Sequence, residues 1–451
     1  MKKSNAIQII IIILLVVVLV GLIYFFVKGT SSSNQNNTGY QIPEMPGGGG
    51  MGGPTSSSSS ETNGATVVND EQSLTGNYET SESDTAVIKV SDGGNATISG
   101  ATVNKAGGDA SDTESADFYG GNAGILVDED GTATIKNTTI TTNAKGGNAV
   151  FAHGENAKIY ISDSTITTTG KSSSRGLDAT YGGYIEADNV VITTNGGSCA
   201  TLATDRGEGT VIAKNSTLTT NGSGSPVIYS TGNISIENTK GTATGAQMVV
   251  VEGKNTATVS NSTLKASGKG NRNDVDNCGI MIYQSMSGDA GVGTGTFTAE
   301  DSTLEIDENS SYYKTAPFFF ITNTNAVINL KNNILKYGSG ILISAKGTSE
   351  WGKSGSNGGT VVLNATNQTL AGSIEADNIS EIEINLKSGS TLSGTLNTSN
   401  TAKNVILTLD SSSKLVLTGD SYITSLTDED SSYSNIEFNG YKLYVNGVEI
   451  N

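Results

Sequence analysis

GNAVFAHGENAKIYISDSTITTTG (147–170), followed by SCATLATDRGEGTVIAKNSTLTTNGSGSPVIYSTGNISIEN (198–238), is one structural unit written repeatedly. Its marker is Asn/Asp-x-x-Ile/Leu: Asn137-Thr-Thr-Ile140, Asp163-Ser-Thr-Ile166, Asn189-Val-Val-Ile192 and Asn215-Ser-Thr-Leu218, spaced 26, 26 and 26 residues apart. Looser copies follow at Asn261–Leu264, Asp301–Leu304, Asn332–Leu335 and Asn367–Leu370, where wider spacing predicts insertions around 268–295 and 345–358. Each period opens on a short apolar strand (GILV 124–127, AVFA 149–152, PVIY 226–229) and turns through glycine. It continues in an alternating strand (TATIK, KIYIS, TVIAK), turns at Asn or Asp, and ends in a third strand such as TITTN. Strands this short, with β-branched residues at alternate positions, fit no long helix.

A unit of this size cannot bury its own apolar side chains. Stacked on a copy, each strand pairs above and below, and the inward residues form continuous columns. Asn and Asp suit the left-handed backbone of the turns. Proline is scarce beyond residue 55 because interior strands need every N–H for the ladder. A propeller blade needs about 40 residues or more, so the 26-residue period excludes it. The expected fold is all-β, a right-handed parallel β-helix over 65–375, with terminal rungs and a C-terminal cap over 376–451. Ile140, Ile166, Ile192 and Leu218 are expected inside, in equivalent places.

Outward from this core, the chain changes character. Lys2 and Lys3 precede an unbroken apolar run from Ile9 to Val27. That is long enough for a membrane span, and the lysines place its start in the cytoplasm. The organisation read from this is a cytoplasmic stub (1–6), a transmembrane signal-anchor (7–28) and a linker rich in Gly, Ser and Pro (29–64). The linker cannot bury enough apolar surface to fold. A single-pass membrane protein with an extracellular β-helix is the expected localisation. The formal charge of -18 speaks against nucleic acid as a partner. Cys199 and Cys278 open similar segments about three rungs apart, roughly 14 Å, too far for a disulfide.

The quoted stretches resemble right-handed β-helix surface proteins of the pectin-lyase-like superfamily, many of them adhesin-like. The resemblance covers most of 85–375 and implies fold more than function. Polygalacturonase-like hydrolases of that superfamily share an Asp-Asp doublet, Gly-His-Gly and Arg-x-Lys. This chain has no Asp-Asp pair, its only histidine lies in Ala152-His153-Gly154, and Arg175, Arg206 and Arg272 are not followed by that lysine. The resemblance to pectate lyases implies Ca2+ ligands and an Arg or Lys base. Short acidic turns offer Asp128, Asp130, Asp274 and Asp276 as metal candidates, and no other cofactor is expected.

The turn after the first strand recurs at one edge of every rung. Asp128, His153, Tyr181, Asp205 with Arg206, Tyr229, Glu252, Gln284 and Asn323 are therefore expected to stack as a column. Charge and aromatic rings along one edge suit an extended glycan. The expected ligand-binding residues are His153, Tyr181, Asp205, Arg206, Glu208, Tyr229, Glu252 and Gln284. Trp351 is read either as an exposed contact or as a tuck for its loop. The function expected is adhesion or polysaccharide binding without catalysis, with a polysaccharide or a host or neighbouring cell surface as partner. The alternatives are a Ca2+-dependent polysaccharide lyase and a structural surface spacer.

Overall fold

The computed structural model describes residues 62–272 and 275–450. The expected signal-anchor, nearly all of the linker, and Asp274 lie outside those residues. Among the described residues no helix is long and apolar enough to cross a membrane.

The chain winds as a parallel β-solenoid with three strand faces per rung. Face one is a 12-stranded sheet running from Asn63–Val68 to Ser373–Ala376. Faces two and three belong to one sheet, because Glu71–Thr80 and Asn95–Lys105 run through both in the opening rungs. Asn95–Lys105 then pairs in parallel with Thr132–Lys136 on face two and Thr139–Thr142 on face three. Ile140, Ile166, Ile192 and Leu218 stand in direct register on face three, and all four are fully buried. Paired strands lie about 4.8 Å apart, so these side chains form one unbroken apolar column.

The turn residues do what their chemistry allows. Asn137, Asp163, Asn189, Asn215, Asn238, Asn261, Asp301, Asn332 and Asn367 all adopt φ between 47° and 53°. Few side chains other than Asn and Asp tolerate that conformation. Their side chains also bond along the stack: the Asn189 amide donates to Asp163 at 2.8 Å, and that of Asn332 to Asp301 at 2.6 Å.

One rung is masked in the sequence. Asn238 begins a turn like the others, but Gly241 takes the inward place of Ile or Leu. A Cβ there would come within 2.4 Å of Leu264 and 2.9 Å of Val227. Those two neighbours fill the space, so the apolar half of the motif disappears. The 46-residue gap from Asn215 to Asn261 is therefore two rungs of 23.

Past residue 376 the parallel ladder continues through Glu381–Lys387, Asn404–Leu409 and Ser425–Asp428. It ends in an antiparallel hairpin, Leu443–Val445 with Val448–Glu449. Asn446 and Gly447 form its two-residue turn at φ 48° and 77°, the geometry that matches strand twist.

Insertions break the regular winding beside face one. A short helix, α1 (Thr113–Tyr119), precedes the strand Ile125–Asp128. The Asp112 side chain caps it by accepting from the Glu114 N–H, and Gly120 ends it at φ 66°. Loops at 267–279 and 284–293 flank the strand Ile280–Tyr283, and a third spans 346–358. Trp351, only 5% exposed, tucks that last loop against Val250, Met281 and Phe320. Cys199 and Cys278 are buried free thiols.

Candidate functional site

Face one differs from the other two. Its inward side chains, such as Ile125 and Val127, join the main core. Most of its outward side chains are buried as well. In strict register they read Leu126, Phe151, Asp178, Ala203, Tyr229, Val250, Met281 and Phe320. Leu126 and Phe151 form one small cluster, and Val250, Met281 and Phe320 form another with Trp351. The insertions cover this face, from α1 at one end and from the three loops at the other.

Between the covers lies a cleft of about 260 Å³, lined among others by Asp117, Phe118, Arg175, Asp205, Tyr229, Arg272, Tyr283 and Asp289. Its floor is a buried charge cluster. The Arg175 guanidinium meets Asp117 and Asp178 at 2.8 Å each, and Asp205 at 2.9 Å. Three carboxylates thus surround one buried cation. Burial disfavours charge on two of them, pushing Asp178 up to about 6 and Asp205 well above the usual carboxylate range. The Tyr229 and Tyr283 hydroxyls converge on one oxygen of Glu252, at 2.7 and 2.8 Å. Burial raises both phenols well above their ordinary value, so they act as neutral donors.

Arg206 joins the two covers. Its Nε and Nη2 donate to Asp289 Oδ1 at 3.1 and 2.7 Å, and its guanidinium sits 3.8 Å over the Phe118 ring. It thereby ties the loop 284–293 to α1, a cation–π and ion-pair bridge. Arg272, whose N–H is held by Asp276 Oδ1 at 3.1 Å, enters the cleft from the loop 267–279. Its guanidinium lies 5.7 Å from the Trp351 ring and has no carboxylate partner among the described residues.

Residues 123–289 match the family described as a right-handed beta helix region. The match spans α1's neighbouring strand through the loop that carries Asp289, and so the strands that floor the cleft. No curated protein matches the chain. The all-β parallel solenoid expected from the repeat is shown, with a right-handed β-helix region over 123–289.

The expected column needs a corrected register. Asp128 and His153 are paired, but Thr180 stands next to His153, so Tyr181 lies one position past the column. Tyr229 pairs with Val250, two positions before Glu252, and Glu252 pairs with Tyr283, leaving Gln284 one position past. The strand ends at Asp128, His153 and Thr180 line up, as do those at Glu252, Tyr283 and Thr322, but aligning by turn chemistry slips the register by one or two residues.

The β-helix therefore divides the expected site residues. Asp205 and Tyr229 line the cleft, Glu252 anchors its tyrosines, and Arg206 holds its roof. His153 shares a 2.6 Å hydrogen bond with Asp128 and lies edge-on to Tyr119 and Tyr181, with centroids 5.3 and 5.2 Å away. Glu208 pairs with Lys254 at 2.6 Å, outside the cleft. Gln284 holds its own loop by donating to the Ala290 carbonyl at 3.2 Å.

The metal candidates do not converge. Burial opposes charge on Asp128, but His153 and Lys89 outweigh it and hold the carboxyl below its usual range. Asp130 accepts instead from exposed Asn156, and Asp276 serves the N–H groups of Asn271 and Arg272. Among the described residues no cluster of three His, Cys, Asp or Glu is set to hold a metal ion.

Asp117, Phe118, Arg175, Asp178, Tyr283 and Asp289 were not expected at the site. Two signals pointed to Asp178 and to the arginines. Asp178 is a charge in the middle of an otherwise apolar strand, Leu177–Thr180. The chain also has only three arginines, and all three serve this one cleft.

Proposed function

We propose that this chain is a cell-surface β-helix that binds polysaccharide without catalysis, through the cleft on face one. It is held to a membrane by the apolar segment 7–28, with the linker 29–64 as tether and the β-helix outside. One observation carries this reading: all three arginines, the only histidine and the only tryptophan lie on face one or in the loops beside it. A uniform Ser, Thr and Asn coat would suit a spacer. This concentration of rare, contact-forming side chains suits recognition.

The cleft is small beside the roughly 300–1,000 Å³ of typical ligand pockets. It fits a short stretch of a polymer whose ends run on along the rungs. The reading without catalysis is supported by how the acids of the cleft are engaged: Asp117, Asp178 and Asp205 pair with Arg175, Asp289 holds Arg206, and Glu252 holds two tyrosines. A hydrolase needs two carboxylates facing each other across a bond.

An array of neutral and acidic polysaccharides, probed with the full-length protein, tests this. The expected outcome is retention of at least one polymer and a loss of roughly tenfold or more in Arg272→Ala, with an unchanged circular dichroism spectrum. Retention of nothing, or an Arg272→Ala protein that binds like the parent, would refute the assignment. Arg272, which has no carboxylate partner among the described residues, also favours a second reading, the Ca2+-dependent lyase, in which an arginine is the base. Release of unsaturated sugar ends from a uronic-acid polymer, dependent on Ca2+ and lost in Arg272→Ala, would establish that reading instead.

A further inference from the structure

We infer that the protein carries a second site, for uncharged glycan, in a trough at the edge between faces one and two. This hollow, about 570 Å³, is larger than the cleft and has different chemistry. Its floor is a row of outward side chains in register on successive strands: Asn325, Thr360 and Glu381. Asn378 completes the floor, and Lys403 neutralises Glu381 in an ion pair. The lining therefore presents amides and a hydroxyl with no net charge.

The amides are available. On the same face, Asn329, Asn364 and Asn385 bond to one another along the stack, at 2.9 and 3.2 Å. The side-chain amides of Asn325 and Asn378, by contrast, make no hydrogen bond among the described residues, and both are exposed. A primary amide offers two donors and an acceptor, which matches neighbouring hydroxyls on a sugar ring.

The walls are built and held. On one side stands the loop 284–293, whose Val292 is 85% exposed and offers an apolar contact for the C–H face of a ring. On the other stands the loop 346–358, fixed where the Asn357 amide donates to the carbonyls of Thr348 at 2.6 Å and Trp351 at 2.7 Å. The floor repeats about every 4.8 Å, close to the advance of roughly 5 Å per residue in an extended sugar chain. Successive rungs meet successive sugars. The loop 284–293 places Asp289 in the cleft and Val292 in the trough, so the two sites share a wall.

This site does not depend on the cleft. Its test is binding of the full-length protein to a β-1,4-linked glucose hexamer. The parent is expected to bind. Asn325→Ala/Asn378→Ala should lose roughly tenfold or more, and so should Thr360→Trp, which fills the trough without removing an amide. Lys158→Ala, on a distant part of face two, should bind like the parent. No binding by the parent, or full binding by both trough variants, overturns the proposal. Binding lost in Arg272→Ala but kept in the trough variants overturns it while leaving the cleft standing.

Discussion

A buried ladder of small polar side chains runs beside the Asn/Asp turn. In most rungs the residue after the turn Asn or Asp accepts a hydrogen bond from the N–H of its equivalent one rung earlier, Val190 being an exception. Ser216 accepts from Val190 at 3.2 Å, Thr239 from Ser216 at 3.2 Å, Ser262 from Thr239 at 3.0 Å and Ser302 from Ser262 at 3.1 Å. Farther on, the longer Asn333 and Gln368 take over the same job at 3.0 and 2.7 Å. This explains why the motif reads Asn-Ser-Thr so often: the serine satisfies backbone donors that no water reaches. Ser216→Ala is predicted to cost about 1–3 kcal/mol, the penalty for a buried N–H left unpaired. Denaturant unfolding measures it, and a change of only a few tenths would contradict the ladder. The inward Ile and Leu and the left-handed Asn were legible from the repeat. The ladder was not, because a serine in a turn reads equally as solvent-facing. Gly241 hid its rung because neighbours, not the residue itself, fill that place in the core.

At the scale of elements, α1 is a cover held down mainly by polar contacts. Asp117 reaches Arg175, the Thr180 hydroxyl donates to the Phe118 carbonyl at 2.9 Å, and the Asn148 amide donates to the Ala116 carbonyl at 3.0 Å. The groups facing Asp178 are Arg175, Asp117 and Asp205, more negative than positive. Burial and this crowding raise Asp178 from an ordinary value near 3.8 to about 6. A carboxyl raised on folding contributes stability that is fully present below its unfolded value and is lost as pH rises through its folded value. Docking of α1 is therefore predicted to be firmer at pH 5 than at pH 7.5. Hydrogen exchange of residues 113–119, corrected for the intrinsic pH dependence, reads this directly. Asp178→Asn, permanently neutral, should remove most of the difference. Protection that stays flat or grows with pH would contradict the assignment. The helix had signals in the sequence, Asp112 and Gly120 at its ends. Seven residues are too few to display a helical period, so the segment read as a loop.

At the scale of the molecule, the three faces divide the work. Face three is threonine-rich in its early rungs and takes Lys and Glu in later ones, and face two alternates apolar and polar side chains. Face one gathers insertions, and with them the cleft and the rarest side chains, while the trough lies along its edge with face two. The fold was legible because each rung must pair with its copies, and pairing writes a period into the sequence. The site was legible only in part. Asp205, Tyr229, Glu252 and Arg206 could be placed from the rungs. Asp117, Arg272 and Asp289 come from insertions, which have no period and meet only when the chain is wound. The central claim is that a polysaccharide lies across face one. Its most direct test is hydrogen exchange of the full-length protein with and without a saturating polymer that the array selects. The account predicts new protection confined to residues 113–119, 202–206 and 268–293. Protection along face-three strands such as Thr165–Thr168, or none anywhere, would contradict it.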